Sequence, residues 1–377
     1  MSDPIFDHVE FESRLERLRA VMRTRGAEVM LLDDAEILAY FTGYERSVSF
    51  YRACIVPLTG APVMVLRSLD VAPFLERSWF RDHIGYPDTK KGILAVAEAL
   101  TSRGFASAAI GIDLGSHAMT VAGYDALRSA LPNARFVAMT NVPWELRLIK
   151  SPREIEYLRR ASAIADQTVR DIVTMTRPGI SEREIAAFAA KRFVELGGEP
   201  GHVGPITSGK GWGFLHGHLH DHPLSNGDIL HLELVPRYQG YSARLMRSVI
   251  VGAPTDQQER DAESLREVQD LQIAAMIPGA RAADVDAILR KEALSRGLRE
   301  TYDNITGYTL GYYSQQPLRS SDFTRVFNVD ATWRLEAGMV FHMYTSARGL
   351  AFSETVLITP REPERLTQIE RKLFASG

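Results

Sequence analysis

Glu233, Arg244 and Arg247 interrupt an otherwise apolar, β-rich stretch from Gly227 to Gly252, GDILHLELVPRYQGYSARLMRSVIVG. A core strand has no use for charge, and a carboxylate or guanidinium is costly to bury unless it pairs. These three therefore predict the floor of a polar pocket. Just upstream, FLHGHLHDHP sets His216, His218, His220 and His222 at every second position. Imidazole is the commonest metal side-chain ligand and also the group best suited to moving protons near neutrality. In a strand this spacing aims all four one way, and in a loop it fixes nothing. One of them serving as acid or base near Glu233 is the stronger reading, and a metal the weaker. Further along, Glu354 takes the place corresponding to Glu233 in a second stretch, so the two carboxylates are expected to face each other. Sharing one pocket would raise the pKa of one and split an acid/base role from an anion role. The plainer alternative is that Glu233 simply pairs with Arg244. Tyr308 and Tyr344 are expected to line the same cavity and offer hydroxyl donors.

The elements that must carry these residues are legible in outline. GDILHLELV alternates, PRYQG reads as a turn, and YSARLMRSVIV runs back, a hairpin. GMVFHMY, Gly338 to Tyr344, repeats the layout of GDILHLE: glycine, three residues, a histidine (His231 or His342), an apolar residue and a polar one. Upstream, PGISEREIAAFAAKRFVELGG from Pro178 matches PGARAADVDAILRKEALSRGL from Pro278, 100 residues later. Helix and hairpin together predict a duplicated α+β unit with the site between its halves. Before it, EVMLLD, ACIVPL, VMVLR and AAIGID read as strands, with the helices GILAVAEALTSRG and GYDALRSAL between them, an α/β domain. The loop GYERSVSFYRA (Gly43 to Ala53) is rich in aromatic residues and arginine and reads equally as rim packing or as a binding element. Ser151-Pro152 starts a helix that Pro178-Gly179 ends. The domains expected are 1–148 and 149–377.

Composition narrows the classes. A net charge of −3 with cations spread along the chain gives nucleic acid no basic face. The single cysteine, Cys54, lies in an apolar run, where a buried inert thiol is expected, and it excludes an internal disulfide. The N-terminus lacks a signal-peptide core, and no apolar run reaches the ~18 residues of a membrane span. A cytoplasmic protein without membrane or nucleic-acid partners is expected.

With these residues assembled, the chain resembles the creatinase/prolidase/methionine aminopeptidase group with its pita-bread fold, including the smaller N-terminal α/β domain and the linker LRLIKSPREIEYLRRA. The resemblance implies an α+β pita-bread C-terminal domain with an internal pseudo-twofold duplication. Peptidases of the group hold two metal ions with two Asp, one His and two Glu. Here those places fall on Glu233, Arg244, Tyr308, Tyr344 and Glu354. A guanidinium and two phenols cannot replace hard anionic ligands, so the resemblance implies a dismantled dinuclear site and no metal cofactor. It points instead to the metal-free branch, creatinase and ectoine hydrolase. His216 falls on creatinase's catalytic histidine, whereas creatinase's guanidinium-binding Glu falls on Met246, which disfavours creatine. Ectoine hydrolases carry Glu at both Glu233 and Glu354, and a similar GYxxxxSFY loop.

The implied reaction is hydrolysis of an amidine-type C–N bond in a small zwitterionic substrate. In it Glu233 is nucleophile or water-directing base, Glu354 a second base or cation holder, and His216 the proton donor. Arg244, Tyr308, Tyr344 and His342 would bind substrate. The relatives are homodimers in which the N-terminal domain lids the partner's site, which would bring Phe50, Tyr51 and Arg52 from the neighbouring subunit. The alternatives are an Xaa-Pro peptidase-like metallohydrolase with altered ligands and a catalytically inactive pita-bread binding protein.

Overall fold

A computed structural model describes residues 5–46, 49–210, 213–314 and 319–376. The chain divides into two compact units, one of residues 1–147 with 314–319, the other of residues 148–313 with 320–377.

The first unit is a three-layer α/β sandwich. Its strands are β1 (Val29–Leu32), β2 (Ala53–Pro57), β3 (Val63–Arg67), β4 (His83–Tyr86), β5 (Ala109–Ile112) and β6 (Arg135–Ala138), in sheet order β4-β3-β2-β1-β5-β6. Strand alternation divides the core in two. Met30, Leu32, Cys54 and Val56 pack on one side with Leu15 and Leu18 of α1 (His8–Arg25) and Phe41 of α2 (Ala35–Thr42). Val29, Leu31, Ala53 and Ile55 pack on the other with residues of α4 (Gly92–Ser102) and α5 (Val121–Ala130), while α3 (Val71–Arg77) and α6 (Val142–Glu145) complete the unit. The four strands expected from sequence form; β4 and β6, whose residues include His83, Gly85 and Arg135, do not have the apolar run that would have marked them. Cys54 is fully buried, and burial pushes its thiol pKa up, as befits an inert core residue. Inside this unit the Oε1 atom of Glu36 accepts hydrogen bonds from the Ser314 N–H (3.2 Å) and hydroxyl (2.7 Å) and from Arg319 Nε (2.8 Å).

The second unit is built twice over. Its first half has α7 (Pro152–Met175), α8 (Glu182–Glu195), β7 (Ile206–Gly209), β8 (Ile229–Leu234), β9 (Arg237–Tyr238), β10 (Tyr241–Ser242) and β11 (Leu245–Val251). The second half has α9 (Asp256–Ala274), α10 (Ala282–Ser295), β12 (Gly307–Thr309), β13 (Val326–Phe327), β14 (Val340–Ala347) and β15 (Leu350–Leu357), followed by β16 (Glu364–Arg365) and β17 (Phe374–Ser376). The duplication extends to single hydrogen bonds. Gly179 N–H donates to Leu224 C=O and Gly279 N–H to Leu335 C=O, both at spacings set by the same turn before the second helix. Isolated bridges Ser181–Pro223 and Arg281–Arg334 repeat it. Each long hairpin also turns through a residue pair with positive φ, Gln239-Gly240 in one and Arg348-Gly349 in the other, the backbone of a tight two-residue hairpin turn.

Two larger sheets result, β17-β11-β8-β7 and β13-β12-β14-β15-β16, beside the two-stranded β10-β9. They join along β11 and β15 through hydroxyl groups. Thr355 Oγ1 accepts from Arg244 N–H (3.0 Å) and donates to Arg244 C=O (3.0 Å), and Ser353 Oγ accepts from Met246 N–H (2.7 Å). Alternation again sets the layers. Leu230, Leu232 and Leu234 of β8 pack with α7 and α8. Burying these three contributes roughly 5–9 kcal/mol, enough to fix the register, since a one-residue slip would drive Glu233 into that apolar layer. Phe341 and Met343 of β14 face α9 and α10 in the same way. Among the described residues no helix is long and apolar enough to cross a membrane.

Candidate functional site

His231 and Glu233 of β8 and His342, Tyr344 and Ser346 of β14 point the other way, into a cavity of ≈ 350 Å³ within the second unit. Glu233, Arg244, Tyr308, His342, Tyr344 and His216 all line it, as expected from sequence, and so do His231, Met246, Asn304 and Ser321. His216 is exposed, on the segment that forms one edge, whereas Glu233 and His342 are buried.

Glu233 and Arg244 form the centre. Arg244 Nε and Nη2 both lie 2.5 Å from Glu233 Oε1, and Arg244 Nη1 donates to Ser320 C=O (2.7 Å) and Ser321 Oγ (2.9 Å). Every nitrogen of the guanidinium is thus engaged, so Arg244 positions Glu233 and has no fork left for a second carboxylate. Glu233 Oε2 has no hydrogen-bond partner among the described residues, and His231 Nε2 stands 3.8 Å from it. Both ring nitrogens of His231 and of His342 are likewise buried without partners among the described residues. A carboxylate oxygen and two imidazoles facing one cavity are costly unless water or a ligand satisfies them. The aromatic wall behind them is continuous: His342 stacks on Tyr344 (centroids 5.2 Å, interplanar 20°), and Tyr308 meets His342 edge-on at 5.0 Å.

The electrostatics follow from burial and from one cation. Burial opposes ionisation of Glu233, but Arg244, with His231 and His342 beside it, outweighs this and holds the carboxyl well below the usual carboxylate range. Burial and then Arg244 push His342 well below its ordinary 6.5, so it stays neutral. Burial raises both Tyr308 and Tyr344, which therefore remain protonated donors. The His342 shift has a testable sign. The unfolded chain takes up a proton at this ring below about pH 6.5 while the folded chain does not, so stability is full above that pH and falls as the pH drops below it. In urea titrations between pH 7.5 and 5.5, His342→Phe is expected to lose less stability than the parent chain; equal slopes would refute it.

Glu354 is a correction. It was expected to face Glu233 across the cavity, but its strand pairing puts it on the helix side. Tyr344 pairs with Ser353 and Met343 with Glu354, so Ser353 and Thr355 share the face of the cavity residues while Glu354 shares that of Phe352 and Val356. There its Oε1 accepts from Arg247 Nη2 (2.8 Å) and its Oε2 from Thr367, with Arg371 Nε at 3.8 Å. Arg247, expected in the floor of the pocket, belongs to this second fully buried pair. The period of two that separates Phe352, Glu354 and Val356 from Ser353 and Thr355 was the sequence signal for it.

Two further residues were missed. His231 shares the face of Glu233, two positions before it. Gly204 (φ +103°) presses against that strand so closely that a Cβ would lie 1.8 Å from the Glu233 carbonyl oxygen. Gly204→Ala is expected to cost at least about 1–3 kcal/mol and to displace Glu233, seen as a lower Tm together with weakened ligand binding; an unchanged Tm would contradict the close approach. Of the loop residues in the first unit, Tyr51 donates its hydroxyl to Asp33 Oδ2 (3.0 Å), Phe50 lies under Arg67 (4.6 Å), and Arg52 is buried.

The residues present do not fit a pair of divalent cations. On the cavity face one carboxylate remains, its Oε1 already held by a guanidinium at 2.5 Å, beside two protonated phenols and two imidazoles. Hard divalent ions need several anionic oxygens. His231, Glu233 and His342 do not converge as ligands either. Among the described residues the only group of three or more able to meet at one ion is Glu182, His220 and His222.

This fold and cavity define a member of metallopeptidase family M24, to which the chain belongs: residues 156–360 match that family and residues 14–149 match the creatinase/prolidase N-terminal domain. Among its relatives is the ectoine hydrolase of Halomonas elongata, 27% identical over 98% of each chain. The Xaa-Pro dipeptidase of Pyrococcus furiosus is 30% identical over 63% of this chain and 68% of its own. The Xaa-Pro dipeptidase structure from Bacillus anthracis superposes with a TM-score of 0.83 over 97% of this chain and 99% of the other, at 20% identity, a likeness of fold.

Proposed function

We propose that this chain is a metal-independent hydrolase of a C–N bond other than a peptide bond, acting on a small zwitterion with an amidine-like centre, as in ectoine hydrolysis. The observation that carries this reading is Glu233, ionised, clamped by Arg244 through one oxygen and offering the other, unpaired, to the cavity. An amidinium supplies the N–H donor that this oxygen lacks and presents its electrophilic carbon beside it. Water directed by Glu233 adds to that carbon, its proton passing to His216; where the carboxylate itself adds instead, water hydrolyses the resulting acyl intermediate after the C–N bond has broken. The C–N bond then breaks, and His216 returns a proton to the departing nitrogen. Protonated Tyr308 and Tyr344 and the Asn304 amide suit the substrate carboxylate and the developing oxyanion. His231 and the neutral His342 shape the polar wall. Glu354 has no place in these steps. A homodimer, with Phe50 and Tyr51 at the partner's cavity, and a cytoplasmic location belong to the same reading; Arg52, buried inside its own unit, is not available for that role. The likeness to ectoine hydrolase over both domains supports it.

The test is a thermal-shift screen of cyclic amidines, guanidino acids and N-acyl diamino acids, in which a ligand at 100 times its Kd stabilises by ~2.7 kcal/mol. Hits are then assayed for turnover in excess chelator. Amidine hydrolysis that survives the chelator supports the reading. Chelator-sensitive cleavage of Xaa-Pro dipeptides, the activity named for the Pyrococcus relative, would overturn it.

A further inference from the structure

Outside the cavity, the His-rich segment closes on α8. Glu182, the first residue of that helix, is fully buried. Its Oε1 accepts from the Ser208 N–H and hydroxyl, both at 2.6 Å, and its Oε2 accepts from the His220 N–H at 2.7 Å. His220 Nδ1 lies 3.3 Å from the same Oε2, and the ring of His222 stands 5.0 Å from that of His220. One ligand atom from each of the three lies within 4.8 Å of the others. The carboxylate is held by three donors, whereas both histidines are exposed. Two imidazoles and one fixed carboxylate, with open positions for water, are the donor set of borderline divalent transition metals and not of Ca²⁺ or Mg²⁺.

We propose that Glu182, His220 and His222 form a peripheral binding site for one Zn²⁺-type ion, separate from the cavity, which fastens the segment carrying Leu215 and His216 to the start of α8. This inference does not depend on the proposed reaction. Without an ion the segment is already held here by the His220 N–H to Glu182, by Arg183 to Asp221 and by the Leu224 N–H to the Ile180 carbonyl. An ion adds His222 as a further ligand, two residues closer to β8, and so fixes the His220 and His222 side chains in the segment that follows His216. Histidine spacing alone could not distinguish these imidazoles from His216 and His218. The buried carboxylate beneath two of them does.

The experiment is calorimetric titration of the full-length, chelator-stripped protein with Zn²⁺. One equivalent is expected to bind. His220→Ala and His222→Ala should each weaken it at least about tenfold, since loss of even an outer-shell partner costs on that order. His218→Ala and His342→Ala should bind as the parent does. Because both test histidines are exposed, their variants fold, and the folded state is checked by far-UV circular dichroism. No uptake of Zn²⁺, unchanged affinity in His220→Ala and His222→Ala, or an equal loss in His218→Ala, which would mean an unstructured histidine tract, each overturns the site. Hydrolytic activity is not read in any arm, so the fate of this proposal and that of the catalytic one are decided separately.

Discussion

Glu233→Gln is expected to lower kcat by about 10²–10⁴-fold and at the same time to lower Tm. The activity loss follows from neutralising the one carboxylate oxygen that the cavity leaves unpaired. The stability loss follows from Arg244, which is nearly buried and keeps its charge when its partner loses one. Breaking a buried pair on one side costs about 3–5 kcal/mol, because the remaining charge is stranded. In a unit of this size that is a Tm decrease of roughly 6–20 °C. Replacing both partners with Gln and Met removes the stranded charge, so Glu233→Gln/Arg244→Met should regain most of the Tm and none of the activity. A single variant that keeps kcat within twofold would remove Glu233 from the reaction, and one that keeps its Tm would show that the pair is not desolvated. The sign of the pKa shift adds a condition. The carboxyl is held far below its ordinary value of 4.5, so its contribution to stability is complete above that pH and is lost only as the pH falls through the lower folded-state value. Any acid limb in a pH–rate profile near neutrality therefore does not belong to Glu233.

Glu354→Gln is expected to give the opposite pattern, a comparable loss of stability with kcat and KM of the folded enzyme within about twofold of the parent. Glu354 and Arg247 are both fully buried, and Arg247 spends its remaining donors on the carbonyls of Met246, Ser353, Ile369 and Glu370. Removing the carboxylate charge leaves a guanidinium inside an apolar layer, again at about 3–5 kcal/mol, whereas Arg247→Met/Glu354→Leu should be close to neutral. Chemical denaturation and steady-state kinetics on the same samples separate the two quantities. A fall in kcat beyond 10²-fold at unchanged stability would return Glu354 to the reaction. The two Glu→Gln variants share one kind of buried ion pair, so any difference in their kinetics reports which face of the strand the carboxylate occupies.

The sequence by itself determined the repeated helix-and-hairpin unit, the α/β domain before it and the polar group around Glu233, Arg244, Tyr308 and Tyr344. Those are local signals: a period of two along a strand, the turn residues PRYQG, and a serine at Ser151 followed by proline. Only the tertiary structure decided which side of its strand each buried charge takes. β8, β11, β14 and β15 are covered on both faces, one by helices and one by the other half of the repeat, so burial alone does not tell the faces apart. Pairing of Tyr344 with Ser353, instead of with Glu354, sends one carboxylate to the helices and leaves Glu233 alone in the cavity. In the same way four histidines in a row carry no preference until the fold brings the buried Glu182 under His220 and beside His222. Residue type and spacing fix what a side chain can do, and the neighbours supplied by distant parts of the chain fix whether it is paired, stranded or free to react.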